Sequence, residues 1–220
     1  MSVDKAGHAA DGEVEGVGGA KAAVPTLNVA NVLTVLRLVL VPVFVVALFA
    51  GDVTGSEGEG TDVSPWRYVA AAVFAVAALT DRLDGWVARR FDLVTDFGKI
   101  VDPIADKALI GAALLGLSVL GELPWWVTGV ILGRELAVTL LRFWVIRHGV
   151  IPASKGGKAK TLAQVLAIGV MLLPLPTQVD PVEWVLLGLA LVLTVVTGVD
   201  YLVRALRLRA VARQGPVDVK

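Results

Sequence analysis

Apolar residues come in six long runs along this chain, most of them near the length of a membrane crossing and each closed by a polar or proline-containing stretch. A hydrocarbon core about 30 Å thick takes roughly 20 helical residues. The runs are Val32 to Ala50, Tyr68 to Leu83, Ile104 to Leu120, Pro124 to Ile146, Thr161 to Leu175 and Val182 to Leu206. The second is expected to continue as a helix to Arg90, and the fifth is closed by Pro174 and Pro176. No repeat at solenoid-like spacing is visible. The pattern predicts an all-α integral membrane protein, with six transmembrane helices in one domain over residues 25–209. A Gly- and Ala-rich tail at 1–24, expected to be disordered, precedes it, and a short tail at 210–220 follows. The first tail lacks the basic start and apolar stretch of a signal peptide.

Charge between the runs predicts orientation, because basic residues favour the cytoplasmic side. The first connection, "GDVTGSEGEGTDVSPW", holds Asp52, Glu57, Glu59 and Asp62 and no basic residue. The third carries Glu122, and the fifth carries Asp180 and Glu183. By contrast, Arg89, Arg90 and Lys99 lie in the second connection, and Arg147, Lys155, Lys158 and Lys160 in the fourth. Arg207, Arg209 and Arg213 close the chain. This alternation places both termini on the cytoplasmic side. Trp66, Trp125, Trp126 and Trp184 all fall at the expected outer ends, where amphipathic rings favour the interface.

Composition agrees with the pattern: 56% of the 220 residues are hydrophobic and 18% charged, with a mean hydropathy of +0.75. A formal net charge of zero gives no global footprint for nucleic acid. The absence of cysteine excludes disulfides, iron–sulfur clusters and thiol catalysis, and two histidines, His8 and His148, are too few for a histidine-rich metal site.

Against this background the stretch "LTDRLDGWVARRFDLVTDFGKIVDPIADKAL" is chemically distinct, since it sets Asp81, Asp84, Asp102 and Asp106 against apolar spans. Carboxylates there are costly unless compensated. Residues three or four apart share a helix face, so Asp81, Asp84 and Ala88 line one stripe and Gly98, Asp102 and Asp106 another. Two antiparallel helices would bring the four acids into one wedge at the cytoplasmic edge. Four close anions repel, and hard divalent cations such as Mg2+ or Mn2+ relieve the repulsion through oxygen ligands. Gly85, Ala88 and Gly98 would let a bulky ligand approach the backbone, and Arg89 suits phosphate. Pro103 biases Asp102 away from helical geometry, so Asp102 is expected to be the N-cap of the third span.

The spacing Asp81-x2-Asp84-Gly85-x2-Ala88-Arg89-x8-Gly98-x3-Asp102-x3-Asp106 resembles the complete signature of the CDP-alcohol phosphatidyltransferase family. That resemblance implies a six-helix membrane enzyme, usually a homodimer, that moves a phosphatidyl group from a CDP-linked lipid to an alcohol and releases CMP. It implies that Asp81, Asp84, Asp102 and Asp106 ligate two divalent ions, that Asp106 is also the general base, and that Gly85, Arg89 and Thr95 contact the CDP part. "NVANVLTVLRLVLVPVF", "GRELAVTLLR" and "GGKAKTLAQ" are similar to the branch whose acceptor is glycerol 3-phosphate. This implies CDP-diacylglycerol and glycerol 3-phosphate as substrates and a bacterial plasma membrane location, with the active site cytoplasmic.

Asn31 and Thr34, one turn apart at the inner end of the first span, are candidates to touch the nucleotide. Arg142, Lys158 and Lys160 are candidate anchors for the acceptor phosphate, with Arg204 and Arg207 as rivals. The lysines could equally anchor the chain to anionic lipid, and Arg204 could pair with Asp200 one turn earlier. Arg37 is expected to snorkel to the surface or reach the lipid phosphate. Arg134 and Glu135 lie mid-span, where ionisable residues default to function. As neighbours they are expected to point apart and not to pair, and either a polar network or substrate contact would account for them. "GVILG" at Gly129 to Gly133 suits close helix packing, and "SKGGKAKT" lacks the spacing of a phosphate-binding loop. Competing functions are the same chemistry on inositol phosphate, serine or phosphatidylglycerol, a cation transporter using the acids as an ion path, and a non-catalytic lipid-binding membrane protein.

Overall fold

The structure, a computed structural model, describes residues 29–55, 64–90, 96–145 and 155–213; the side chains of 29–30, 54–55, 84–89, 96–100, 102–103, 106, 142–145, 155, 177 and 210–213 are not among those described. Among the described residues six α-helices are seen: α1 (Val29–Gly55), α2 (Pro65–Arg90), α3 (Asp96–Val119), α4 (Trp125–Val145), α5 (Lys155–Leu172) and α6 (Asp180–Arg213), the last entered through a 3-10 turn at Thr177–Val179. The expected tail at 1–24 lies outside the described residues. Among the described residues two segments, Asn31–Val53 and Asp180–Arg209, are long and apolar enough to cross a membrane. Large apolar side chains such as Val39, Val46, Leu136, Val185 and Val196 face outward, an outer surface suited to lipid.

The helices begin and end for local reasons. α2 opens on Pro65, whose missing N–H falls where no helical partner exists. α3 ends in a Schellman motif: Glu122 N–H donates to Leu117 O at 3.0 Å and Gly121 N–H to Ser118 O at 3.2 Å. That closure needs a left-handed residue, and Gly121 supplies it at φ 77°. α1 carries Pro42 inside its length, a substitution that membrane helices tolerate when neighbours re-satisfy the freed carbonyl.

α1 packs on α2 and α3, α2 on α5, α4 on α3 and α6, and α5 on α6. The α1–α2 seam is apolar in the half that holds the C-terminal part of α1. Phe44 and Leu48 meet Ala70, Phe74 and Ala77, and the rings of Phe44 and Phe74 lie 5.8 Å apart. The alanines keep the two helices close. A Cβ on Gly51 would sit 3.2 Å from the backbone nitrogen of Arg67, so this crossing depends on glycine. Ala163, Ala167 and Ala190 perform the same service between α5 and α6.

One end of the bundle collects the C-termini of α1, α3 and α5 and the N-termini of α2 and α6. Arg67, at the start of α2, donates to Leu172 O at 3.2 Å and Met171 O at 3.1 Å, and pairs with Glu122. It thereby satisfies carbonyls at the C-terminus of α5, where a cation is favoured. Trp66, Trp125, Trp126 and Trp184 are exposed at the starts of their helices. Among the described residues, Glu122, Met171, Asp180, Glu183, Trp184 and Leu187 line a cavity of about 270 Å³ at this end.

Candidate active site

The acidic stretch spans the C-terminal half of α2 and the N-terminal half of α3, two helices in mutual contact. Asp81 and Asp84 are three apart on α2, and Asp102 and Asp106 four apart on α3. Gly85, Ala88 and Arg89 continue α2, and Gly98 lies on α3. Thr95 and the side chains of Asp84, Arg89, Asp102, Asp106 and Arg142 lie outside the description.

α3 begins at Asp96, so Asp102 is inside the helix and is not its N-cap. The proline bias at Asp102 acts on one residue and did not end the element. A proline removes one donor, and that loss is tolerated in an apolar helix whose neighbours can re-satisfy the carbonyl.

Asp81 is the best defined member. Its carboxylate accepts from Arg37 Nη1 at 2.5 Å, with the arginine side chain 0% exposed and the aspartate 35% exposed. Arg37 therefore neither snorkels nor reaches outward: a side chain on the buried face of α1 is enclosed by α2 and α3, and a counter-ion inside the bundle holds it there. Asn31 and Thr34 are also buried. With Arg37 they form a polar stripe at three-residue spacing along α1, directed toward the aspartate-bearing helices. Thr80, next to Asp81, returns its hydroxyl to Val76 O at 2.7 Å.

An oxygen-only donor set, in two dyads on touching helices, suits hard divalent cations. Asp81 keeps solvent access while one oxygen is tied to Arg37, so it can still ligate. Among the described residues no group of three or more metal-ligating side chains occurs. The residues present fit a divalent ion by donor chemistry and helix placement.

A second polar centre joins α4, α5 and α6. Arg134 Nη1 pairs with Glu135 Oε1 at 2.9 Å, and Lys160 Nζ pairs with the same oxygen. The expectation that Arg134 and Glu135 diverge is thus overturned. Arg134 runs over Gly198 of α6, where an added Cβ would lie 3.0 Å from its Cγ. Its guanidinium donates to Thr194 O at 3.1 Å and Thr197 Oγ1 at 2.9 Å while reaching back to Glu135. A long stem lets adjacent residues converge on one interhelical seam even though their Cβ atoms point apart. Gln164 Nε2 completes the seam with a 3.0 Å bond to Thr194 Oγ1. Lys107, beside Asp106 in sequence, donates to Thr139 on α4, and Thr139 donates to Glu135 O at 2.8 Å.

Of the proposed acceptor anchors, Lys158 is exposed, whereas Lys160 is 6% exposed and engaged by Glu135. Arg204 pairs with Asp200 at 3.0 Å one turn away. Sequence reasoning missed the Arg37–Asp81 pair, the Arg134–Glu135–Lys160 cluster and Arg67 as a helix cap. A signal for the first was present, since Arg37 continues the Asn31, Thr34 spacing and a cation in an apolar span needs a counter-ion.

These features define a helical bundle of membrane character that carries an acidic stretch on two contacting helices. The family model described as CDP-alcohol phosphatidyltransferase matches residues 27–196, and the chain belongs to that family. Over 180 residues it is 57% identical to a Mycobacterium tuberculosis (strain ATCC 25618 / H37Rv) protein named "Probable phosphatidylglycerophosphate synthase", covering 82% of each chain. It is 38% identical over 179 residues to the CDP-diacylglycerol–glycerol-3-phosphate 3-phosphatidyltransferase of Bacillus subtilis (strain 168), covering 79% of this chain and 93% of the relative. A protein of that same name from Pseudomonas fluorescens is 38% identical over 177 residues, covering 76% and 82%.

Proposed function

We propose that this protein transfers the phosphatidyl group of CDP-diacylglycerol to the 1-hydroxyl of sn-glycerol 3-phosphate, releasing CMP and forming phosphatidylglycerophosphate. The observation that carries the reading is the eight-position signature from Asp81 to Asp106, set on two contacting helices. The names of the relatives support glycerol 3-phosphate as acceptor.

In this reading Asp81, Asp84, Asp102 and Asp106 hold two divalent ions, Mg2+ or Mn2+. When bound, such ions supply neutralisation of the diphosphate oxygens and of the charge that develops on departing CMP. Asp106 takes the proton of the acceptor hydroxyl as its oxygen bonds to the lipid-side phosphorus and the bond from that phosphorus to CMP breaks. Asn31, Thr34, Gly85, Arg89 and Thr95 receive the CDP part, with Ala88 and Gly98 keeping the walls low. Arg142, Lys158 and Lys160 draw the phosphate of the acceptor, Lys160 from a position steadied by Glu135.

All six helices cross the bacterial plasma membrane, with the aspartates and both termini cytoplasmic. The tryptophan-bearing end faces outward, and the enzyme works as a homodimer. That placement lets a lipid donor meet a cytosolic acceptor at one edge of the bilayer.

The test is a panel of acceptors given to purified protein with CDP-diacylglycerol and Mg2+ or Mn2+, scored by CMP release and by the mass of the lipid product. Glycerol 3-phosphate is expected to support turnover at least about tenfold above serine, which lacks the phosphate the site pairs, and above inositol phosphate and phosphatidylglycerol, which carry a phosphate on a much bulkier body. Preferred use of any of the others would reassign the acceptor.

A further inference from the structure

Arg37 is enclosed completely by the bundle, yet it meets a carboxylate that is still partly open to solvent. Burying a guanidinium is costly, and a buried ion pair is seldom the best way to hold two helices together. The α1–α2 seam does not need it for cohesion. Phe44 and Leu48 already pack on Ala70 and Phe74, and Gly51 brings the two backbones into contact. What the pair does is specify where Asp81 stands, at the part of the seam that reaches the acidic stretch.

We propose that Arg37 is a positioning residue for the divalent-ion site. It fixes one oxygen of Asp81 from within the protein, and so presents the other to the ion. The inference rests on the reading of Asp81 as a metal ligand. Hydrogen-bonded partners behind a ligand commonly orient it in this way, and their loss costs about 10–100-fold in metal affinity.

The sign of the effect separates positioning from simple charge compensation. Arg37 is itself a cation beside the site. If its role were only to offset the aspartates, removing it would relieve repulsion of the incoming ion, and binding would tighten. If it positions Asp81, removing it loosens the ligand, and binding weakens. Arg37→Lys keeps the charge but loses the planar fork, so it falls between the parent and Arg37→Gln.

The experiment is Mn2+ binding to the purified full chain in detergent, followed by the EPR signal of free Mn2+ without substrate, for the parent, Arg37→Gln, Arg37→Lys, Asp81→Asn and the Arg37→Gln/Asp81→Asn double variant. Arg37→Gln is expected to raise the Mn2+ dissociation constant about 10-fold or more, and Arg37→Lys by less. The double variant should bind no more weakly than Asp81→Asn, because the arginine acts through that carboxylate. Should Arg37→Gln not fold, Arg37→Lys and its combination with Asp81→Asn give the same comparison. Unchanged or tighter binding on loss of Arg37, or effects that simply add, would overturn the inference while leaving the metal site in place. Parent-like binding by Asp81→Asn would instead overturn both the ligand assignment and the inference built on it.

Discussion

Replacing Asp106 with Asn is expected to lower kcat for CMP release by a factor of about 10²–10⁴, the range that a positioned general base contributes. Asparagine keeps the size of the side chain and an acceptor oxygen, but it cannot take a proton from the acceptor hydroxyl. The loss should fall on kcat more than on the KM of either substrate, because proton transfer belongs to the transition state. Asp81→Asn is the control. It removes a ligand without removing a base, so part of its deficit should be recovered at high metal concentration, whereas that of Asp106→Asn should not. Folding provides a second control. In metal-free protein the acidic carboxylates repel one another, and removing the Asp106 charge should not lower the unfolding temperature. Robust turnover by Asp106→Asn would remove the residue from its assigned role.

The second large effect is expected at Glu135, and it concerns stability. Its carboxylate stands between Arg134 and Lys160, whose side chains are 16% and 7% exposed. Glu135→Leu leaves two enclosed cations without their shared counter-ion, and breaking a buried pair on one side costs about 3–5 kcal/mol. The loss would show as a lower unfolding midpoint in detergent, read by tryptophan fluorescence. Glu135→Gln keeps an acceptor oxygen for both donors and should cost less. Glu135→Leu/Lys160→Met removes one orphaned cation along with the anion and should recover part of the stability, as contacting residues are non-additive. A Glu135→Leu midpoint equal to that of the parent would mean that the cluster adds nothing to the joining of α4, α5 and α6.

The helices were legible because each apolar run is long and its flanks are polar, so errors fall at the ends. The expected start at Ile104 lies two turns inside α3, because the apolar run begins there while the helix already starts at Asp96. The fifth span was read from Thr161, but α5 starts at Lys155, in a stretch whose glycines and lysines look like a connection. α6 runs on to Arg213, past the end of the expected sixth span at Leu206. In each case polar residues hide the helix, since hydropathy reports the membrane and not the backbone.

The acidic motif was legible for a different reason: its spacing matches the helical repeat, and its chemistry needs no partner from elsewhere to be noticed. Tertiary pairs are another matter. Arg37 and Asp81 are 44 positions apart and Glu135 and Lys160 are 25 apart. Periodicity shows which face of its own helix a residue shares, but not what lies opposite. Arg134 and Glu135 show the converse limit, since Cβ directions did not foresee that a long guanidinium would turn back from α6 to its neighbour.

The central claim is that the carboxylates of α2 and α3 work by holding divalent ions against a diphosphate. The most direct measurement is glycerol 3-phosphate-dependent CMP release by protein stripped with EDTA and then titrated with Mg2+ or Mn2+. The account predicts no release in EDTA and full recovery on adding back either ion. Release that continues undiminished in EDTA would contradict it.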